Sequence, residues 1–402
     1  MLSLPCLLSA RFAGPVSTLL LLAASAAPAA PLQVSVGGGI GQSYGPKLNA
    51  DGSRLAYYSA TNPTGGNADG SWEVFVYDRA SGQTRQISDE PGGQFAGGNQ
   101  TPGISGDGSR VAFQHFIIDS GYGYFQTRVY DLNANALTTL TQPAFAETSA
   151  ISRDGKTVAV SLGNVGVRLY DVATQAFTSL PLVNPATFTM SGDGKRLVYD
   201  TFSQGVYLYD VTTGATTVIS AAGGGGGFNQ RPMISADGNS VVFTSTFDPL
   251  GRNADHSSEV FRYDVPTKTL VQVTQSQGDS REASLSGDGT RIVFSSNGDL
   301  AGRNADGNVE IFVYDLLANS FLQMTDALNS YSGGGTLSED GNTVAYFSNL
   351  DPRGGSPGSS YQIFLDTLEP RAPAALPEPA SAWLALLALG VAGAMRRRQR
   401  RG

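Results

Sequence analysis

The sequence predicts an all-β chain wound into a seven-bladed β-propeller and closed by a strand from its own N-terminal region. Three observations carry that reading. An Asp-Gly pair flanked by alternating apolar residues occurs seven times, at Asp51-Gly52, Asp107-Gly108, Asp154-Gly155, Asp193-Gly194, Asp237-Gly238, Asp288-Gly289 and Asp340-Gly341. Such a pair is the strongest short-range hairpin signal, because both residues tolerate the positive φ of a type I′ turn. Six of the seven are followed by Tyr-Asp, at Tyr77-Asp78, Tyr130-Asp131, Tyr170-Asp171, Tyr209-Asp210, Tyr263-Asp264 and Tyr314-Asp315, and the seventh copy reads Leu365-Asp366. Units of about 40 to 50 residues with strand patterning inside them are the mark of blades set radially around an axis.

Each unit reads as four strands. Strand a precedes the Asp-Gly turn (Pro102 to Ser105), b follows it (Arg110 to Phe113), c ends in Tyr-Asp (Val74 to Tyr77), and d comes after a second short turn (Thr84 to Ser88). Alternation along b and c gives each strand two faces, one toward each neighbouring blade. Seven sets of a, b and c can be counted but only six d strands, since Asp366 runs into Thr-Leu-Glu-Pro-Arg-Ala-Pro and proline donates nothing to a ladder. Leu32-Gln33-Val34-Ser35-Val36 has the alternation of a d strand and precedes the first strand a. It is expected to complete blade seven and remove an open edge.

Composition agrees with a turn-dense β protein: 50 glycines, 15% charged and 41% hydrophobic residues in 402, too apolar for disorder. The only cysteine, Cys6, lies in the N-terminal leader, so no disulfide is expected in the mature body. Arg11, the apolar run Val16 to Ala24 and the small residues Ser25 to Ala29 have the order of a secretory signal peptide, assigned to residues 1–29. The propeller is assigned to 31–367 and a proline-rich linker to 368–376. At the C-terminus, Pro377-Glu378-Pro379 precedes sixteen apolar or small residues and then Arg396, Arg397, Arg398, Arg400 and Arg401. That run falls short of the ~20 residues that cross a bilayer squarely, but suits a thin membrane as a transmembrane helix. The arginines should stay cytoplasmic, leaving the repeats outside.

Two resemblances follow from these residues. The segment 377–402, with Pro377-Glu378-Pro379, an apolar helix and an arginine cluster, resembles the PEP-CTERM sorting signal of Gram-negative bacteria. That resemblance implies an exosortase-type sorting enzyme as partner, an inner-membrane-anchored precursor, and a final address in the cell envelope or extracellular matrix. Ser-Gly-Asp-Gly-Thr-Arg-Ile-Val-Phe-Ser-Ser at Ser286 to Ser296 and Glu-Ile-Phe-Val-Tyr-Asp at Glu310 to Asp315 resemble the TolB-type, WD-repeat-like propeller repeat. The proline that follows Ser in that repeat is replaced here by Gly, Ala, Arg or Glu. The resemblance implies a module that binds proteins or peptides and carries no catalytic residues of its own.

Without its two ends the body keeps 20 basic against 33 acidic residues and a charge near −13. An acidic ectodomain repels nucleic acid and anionic polymers at long range and is better suited to cations or neutral sugars. Ligand contacts are expected on the face that carries the b–c and d–a connections, where nearly all length variation falls. Gln100, Glu147, Arg231, Arg281 and Glu282, just before strands a, should ring the channel mouth, either as ligand contacts or simply as a salt-bridged rim. The blade-two loop brings His115, Phe116, Tyr122, Tyr124 and Phe125 to the same face, as sugar- or peptide-stacking candidates or as cover for the loop's own base.

Asn67-Ala68-Asp69, Asn253-Ala254-Asp255 and Asn304-Ala305-Asp306 each precede a glutamate at one spacing, Glu73, Glu259 and Glu310. Asp69, Glu73, Asp255, Glu259, Asp306 and Glu310 are hard oxygen donors suited to calcium; the same Asn and Asp residues also build Asx-turns that simply fold a loop. Calcium is the one cofactor these loops would suit. With His115 and His256 the only histidines, and without a G-x-S-x-G elbow or an H-E-x-x-H helix, no catalytic signature is patterned. The expectation is a monomeric, non-enzymatic binding or scaffold module for protein or polysaccharide. The alternative is a propeller-type polysaccharide hydrolase or lyase.

Overall fold

The computed structural model describes residues 30–35, 41–91, 97–119, 122–141, 148–161, 166–182, 185–201, 205–221, 227–326, 328, 330–349 and 360–369. The leader, the linker and the sorting segment with Pro377, Glu378, Pro379, Arg396, Arg397 and Arg398 lie outside the described residues. Among the described residues no helix is long and apolar enough to cross a membrane.

The chain opens with β1 (Leu32–Gln33). Blade one is β2 (Ser43–Leu48), β3 (Arg54–Ser59), β4 (Glu73–Asp78) and β5 (Gln83–Gln86); blade two is β6 (Gly97–Ile104), β7 (Arg110–Asp119), β8 (Tyr122–Asp131) and β9 (Ala136–Thr139). Blade three is β10 (Ser149–Ile151), β11 (Thr157–Ser161), β12 (Val167–Asp171) and β13 (Ala176–Leu180); blade four is β14 (Pro185–Met190), β15 (Arg196–Thr201), β16 (Val206–Asp210) and β17 (Thr216–Ser220). Blade five is β18 (Asn229–Ile234), β19 (Ser240–Ser245), β20 (Glu259–Asp264) and β21 (Thr269–Gln272); blade six is β22 (Ser280–Leu285), β23 (Arg291–Ser296), β24 (Glu310–Asp315) and β25 (Ser320–Gln323). Blade seven is β26 (Ser332–Leu337), β27 (Thr343–Ser348) and β28 (Gln362–Thr367), with β1 as its fourth strand. The seven four-stranded antiparallel sheets are those the repeat predicts.

Closure reproduces the chemistry of the other blades. Leu32 pairs with Leu365 and Gln33 with Phe364, and Val34 N–H donates to Ile363 O at 2.8 Å. In blades one, two, five and six a hydroxyl at the end of strand d, from Ser88, Thr141, Thr274 or Thr325, accepts the strand-c N–H of Val74, Thr127, Val260 or Ile311 at 2.8–2.9 Å. In blade seven the same hydroxyl comes from the other end of the chain: Ser35 Oγ accepts Ile363 N–H and donates to Gln362 Oε1, both at 2.8 Å. Val34 is buried in the core between blades seven and one with Leu55, Tyr57, Phe75 and Ile363.

The core is seven apolar seams, one between each pair of blades. Inward-alternating residues of strands b and c supply them, and cross-strand ring pairs recur at one level: Tyr57–Phe75, Tyr199–Tyr207, Phe243–Phe261, Phe294–Phe312 and Tyr346–Phe364 stack with centroids 5.2–5.9 Å apart. Directly opposed aromatic pairs add stability beyond the area that they bury.

Polar staples join the blades on the Asp-Gly face. Arg54, Arg110, Arg196 and Arg291 each send Nη1 to the turn-glycine carbonyl of the next blade, Gly108, Gly155, Gly238 and Gly341, at 2.6–3.3 Å. Three of them also bond the Tyr-Asp carboxylate of their own blade, at Asp78, Asp131 and Asp315. The two sequence signatures of the repeat are therefore two halves of one inter-blade contact. Inside that, the residue between Ser (or Asn49) and Asp donates its N–H around the axis: Ala50 to Gly106, Gly106 to Arg153, Arg153 to Gly192, Gly192 to Ala236, Gly287 to Glu339 and Glu339 back to Ala50, at 2.7–3.0 Å, with Asp237 to Gly287 completing the circle at 3.1 Å. Proline in that place has no N–H to give, so in the six blades where this residue donates the replacement keeps the circle intact; in blade five Asp237 donates in place of Ala236. Arg153 Nε meets Glu339 Oε2 at 3.0 Å, joining blades three and seven across this end of the channel.

Candidate functional site

The opposite end of the channel is built differently. The innermost strands β2, β6, β14, β18, β22 and β26 each carry a register shift. In five of them the bulged residue has left-handed φ: Gly45 (60°), Thr101 (50°), Arg231 (51°), Glu282 (56°) and Gly334 (63°). Glycine adopts this conformation freely; Thr, Arg and Glu do so only where the surroundings enforce it, and such strain gathers at functional sites. Arg231 Nη1 bonds Glu282 Oε1 at 2.8 Å, and Glu282 Oε2 accepts Gly334 N–H at 2.8 Å, linking blades five, six and seven. Arg281, mostly exposed, pairs with Asp279 at 2.6 Å.

Beside these charges six aromatic rings meet where blade seven joins blade one. Tyr44 is the hub, with Tyr58, Trp72, Phe347 and Tyr361 at centroid distances of 5.1–6.0 Å. Tyr331 joins through Phe347 and Tyr361 at 6.1 and 6.0 Å. The two glycine bulges make this possible. A Cβ on Gly45 would fall 2.6 Å from Tyr58 Cε1, and one on Gly334 would fall 2.6 Å from Phe347 Cε1, so both rings lie against bare backbone. All six rings are half-buried or at the margin of exposure. Burial, reinforced by Tyr361 and Tyr58, pushes the Tyr44 phenol up to about 12. Burial likewise raises Tyr58 and Tyr331, both also subject to the opposed charges of Glu282 and Arg231. These phenols stay protonated, as hydrogen-bond donors, at any physiological pH.

Lys47 lies beyond the bulge of β2, opposite Ala56. Burial pulls its ammonium below the ordinary lysine range, with Glu282 opposing and Arg231 adding to the effect. The corresponding residues of the other inner strands are Gly103, Ala150, Thr189, Met233, Ser284 and Thr336, none of them charged.

The sequence-predicted residues divide among three places. Arg231, Arg281 and Glu282 are at the mouth, and Gln100 is on β6 next to bulged Thr101, opposite Gln114. Glu147 lies outside the described residues. His115 and the blade-two aromatics belong to the long hairpin β7–β8. There Phe116 pairs with Phe125, centroids 4.9 Å apart, while Ile117 pairs with Tyr124 and Asp119 with Tyr122. The pleat thus puts Phe116 and Phe125 on one face and Tyr122 and Tyr124 on the other. Tyr122 is 65% exposed.

His115 is buried: Nδ1 lies 3.2 Å from Asn99 Oδ1 and 4.0 Å from Glu90, which also pairs with Arg128. Burial, then Arg128, depress its pKa below 6.5 against the pull of Glu90. The folded protein therefore holds it neutral, while the unfolded chain protonates it near 6.5. Its contribution to stability is complete above pH 6.5 and is lost as pH falls from there toward the depressed folded value. Denaturant midpoints measured between pH 7.5 and 5 should fall more steeply with acid in the wild type than in His115→Gln.

The three glutamates of the Asn-Ala-Asp loops are buried. Glu73 accepts from Ser88, Asn99 Nδ2 (3.0 Å), Glu90 N–H (2.7 Å) and Ser71 (2.9 Å). Glu259 accepts from Thr274, Ser276 N–H (3.0 Å) and Ser257 (3.1 Å), and Glu310 from Thr325 and Ser330. Their lone pairs are engaged by the chain's own donors, on the hydroxyls that also clamp strand c. Asn67 and Asn253 tie their loops through Nδ2 to backbone carbonyls, and Asp69 and Asp255 form turns with Ser71 and Ser257; Asp306 accepts from Asn308. Among the described residues no three His, Cys, Asp or Glu side chains are grouped to hold a metal ion.

Residues 375–401 match the PEP-CTERM protein-sorting motif, a signal typical of exported proteins in Gram-negative bacteria. No curated protein matches the chain. Among solved structures, the β-propeller domain of the Trilobed protease from Pyrococcus furiosus, described as having an open velcro topology, aligns with TM-score 0.57 and 12% identity over 83% of this chain and all of that one. An oligogalacturonate lyase from Vibrio parahaemolyticus aligns at 0.55 and 14%, over 84% of this chain and 93% of that one. TolB from Acinetobacter baumannii aligns at 0.45 and 17%, over 68% of this chain and 64% of that one. At these identities the likeness is one of fold.

Proposed function

We propose that this exported, PEP-CTERM-tagged propeller is a binding module of the cell envelope or extracellular matrix. Its ligand, a polysaccharide or protein segment, seats at the loop-side mouth of the channel. The observation that carries this reading is the meeting of six aromatic rings around Tyr44 beside the strained, charged bulge of Arg231 and Glu282. Rings with polar tips are the usual material of a recognition surface, and sorting by an exosortase-type enzyme would deliver that surface outside the cell. The alternative, a polysaccharide hydrolase or lyase, would use the same mouth and differ in turning its ligand over. The oligogalacturonate lyase from Vibrio parahaemolyticus shares the fold alone.

The test is binding of glycan and peptide arrays to the purified propeller, followed by calorimetry on the hits. Tyr331, at 36% exposure the most accessible ring of the cluster, should when changed to Ala weaken binding about ten-fold, as loss of one stacked ring does. Tyr122→Ala, on the blade-two hairpin, should change it little. A larger loss at Tyr122 than at Tyr331 would move the site to blade two, and release of a cleaved product would replace the binding reading with the enzymatic one.

A further inference from the structure

The three Asn-Ala-Asp loops are not equivalent. In blade one Ser71 Oγ lies 3.0 Å from Asn67 Oδ1, 2.9 Å from Asp69 Oδ1 and 2.9 Å from Glu73 Oε1. In blade five Ser257 Oγ lies 3.3, 3.1 and 3.1 Å from the same atoms of Asn253, Asp255 and Glu259. One hydroxyl, with one proton to give, thus fills the centre of a cup made by an amide oxygen and two carboxylates. Blade six builds its cup from Asn304, Asp306 and Glu310 but carries Asn308 where the others have serine. The Asn308 amide goes to Asp306 Oδ2 at 2.6 Å. Asn304 is 2% exposed, and its Oδ1 has no hydrogen-bond partner among the described residues.

The direction of that oxygen is fixed. Asn304 Nδ2 gives its protons to Gly298 O at 3.3 Å and Asn308 O at 2.9 Å, as Asn253 Nδ2 does to Phe247 O and Ser257 O and Asn67 Nδ2 to Thr61 O and Ser71 O. A flipped amide would lose both bonds, so Oδ1 faces the same centre as in the two sister loops. Glu310 is held as its sisters are, with Oε2 on the hydroxyl that ends strand d. Arg303, the only arginine of this loop, pairs with Asp326 at 2.8 Å.

We propose that the blade-six loop binds one calcium ion at this centre, through Asn304 Oδ1 and the carboxylates of Asp306 and Glu310. All three donors are hard oxygens, and two carboxylates balance a divalent charge. Magnesium, which demands a near-octahedral shell and gives up water reluctantly, suits a buried amide oxygen less well. In blades one and five the serine hydroxyl stands where the ion would stand, so the site belongs to blade six alone. This inference is independent of the binding reading of the mouth.

The experiment follows the thermal midpoint of the full chain in detergent, first with a chelator and then with calcium or magnesium at equal concentration. The magnesium arm is required because any divalent cation screens so acidic a body. Ten millimolar calcium should raise the midpoint by about 2–4 °C, as a dissociation constant of roughly 0.1–1 mM implies, and calorimetry should count one ion per chain. Asp306→Asn, at an exposed position, should weaken calcium binding about ten-fold and leave the midpoint in chelator unchanged. Asn308→Ser, which gives blade six the serine of its sisters, should raise the midpoint in chelator and abolish the calcium response. No calcium shift, equal shifts with calcium and magnesium, or an Asn308→Ser or Asp306→Asn variant that responds like the wild type overturns the site and leaves Asn304 Oδ1 to water.

Discussion

Deleting Pro31–Ser35 should lower the thermal midpoint by about 10 °C, the largest loss expected from any short change in this chain. The deletion exposes the outer edge of β28 and empties the place of buried Val34 in the seam between blades seven and one. It also strips Ile363 N–H and Gln362 of the Ser35 hydroxyl. A buried valine is worth about 1.5–3 kcal/mol and each hydrogen bond about 1 kcal/mol net, so roughly 5 kcal/mol is at stake. Ser35→Ala isolates the clamp and should cost about 1–2 kcal/mol, the price of two buried groups left unsatisfied. Calorimetric scans read both; an unchanged midpoint after the deletion would mean that the strand does not close the ring.

Glu73→Ala should destabilise the protein by about 3–5 kcal/mol, which is typical of removing one partner from a buried charged network. Four donors converge on that carboxylate, from Ser71, Ser88, Glu90 and Asn99, and Asn99 passes the contact on to His115. Glu73→Gln keeps the shape but turns an NH2 group toward two of those donors, and should lose about half as much. Chemical denaturation gives both values. If Glu73→Ala unfolds with the wild-type midpoint, the glutamate is not a structural lock, and the oxygen donors of its loop return to consideration as a ligand site.

These two cases mark what could be read from residues alone. The blade count was legible because each Asp-Gly turn and Tyr-Asp end is a local signal repeated in register, and the closing strand because Leu32 to Val36 alternates like the strand that blade seven lacks. The glutamates were legible as a recurring feature but not by their hydrogen-bond partners. Their partners Ser88, Thr274 and Thr325 stand fifteen residues downstream on another strand, where spacing does not show that a hydroxyl points back. The arginine staples were hidden for a related reason. Arg54, Arg110, Arg196 and Arg291 occupy the same place in only four of seven units, and their acceptors are carbonyls of a different blade.

The aromatic cluster is the clearest omission. Tyr44, Tyr58 and Trp72 are separated by more than 250 residues from Tyr331, Phe347 and Tyr361, and they meet only because the ring closes. A signal did exist: once blade seven is placed beside blade one, aromatic residues at matching positions of both fall on the same side. The blade-two hairpin drew attention instead because its rings are contiguous in sequence, but a strand's pleat separates neighbours that a loop would have gathered.

The order β1–β28–β27–β26 has a mechanical side. Any load carried by residues beyond 369, where the sorting motif lies, enters the ring through β28. That strand is held by ladders on both flanks, to β27 and to β1. A pull on the tail must therefore work against two neighbours together, and cannot peel a free margin. The early residues that seal the circle also brace the point from which the molecule would hang.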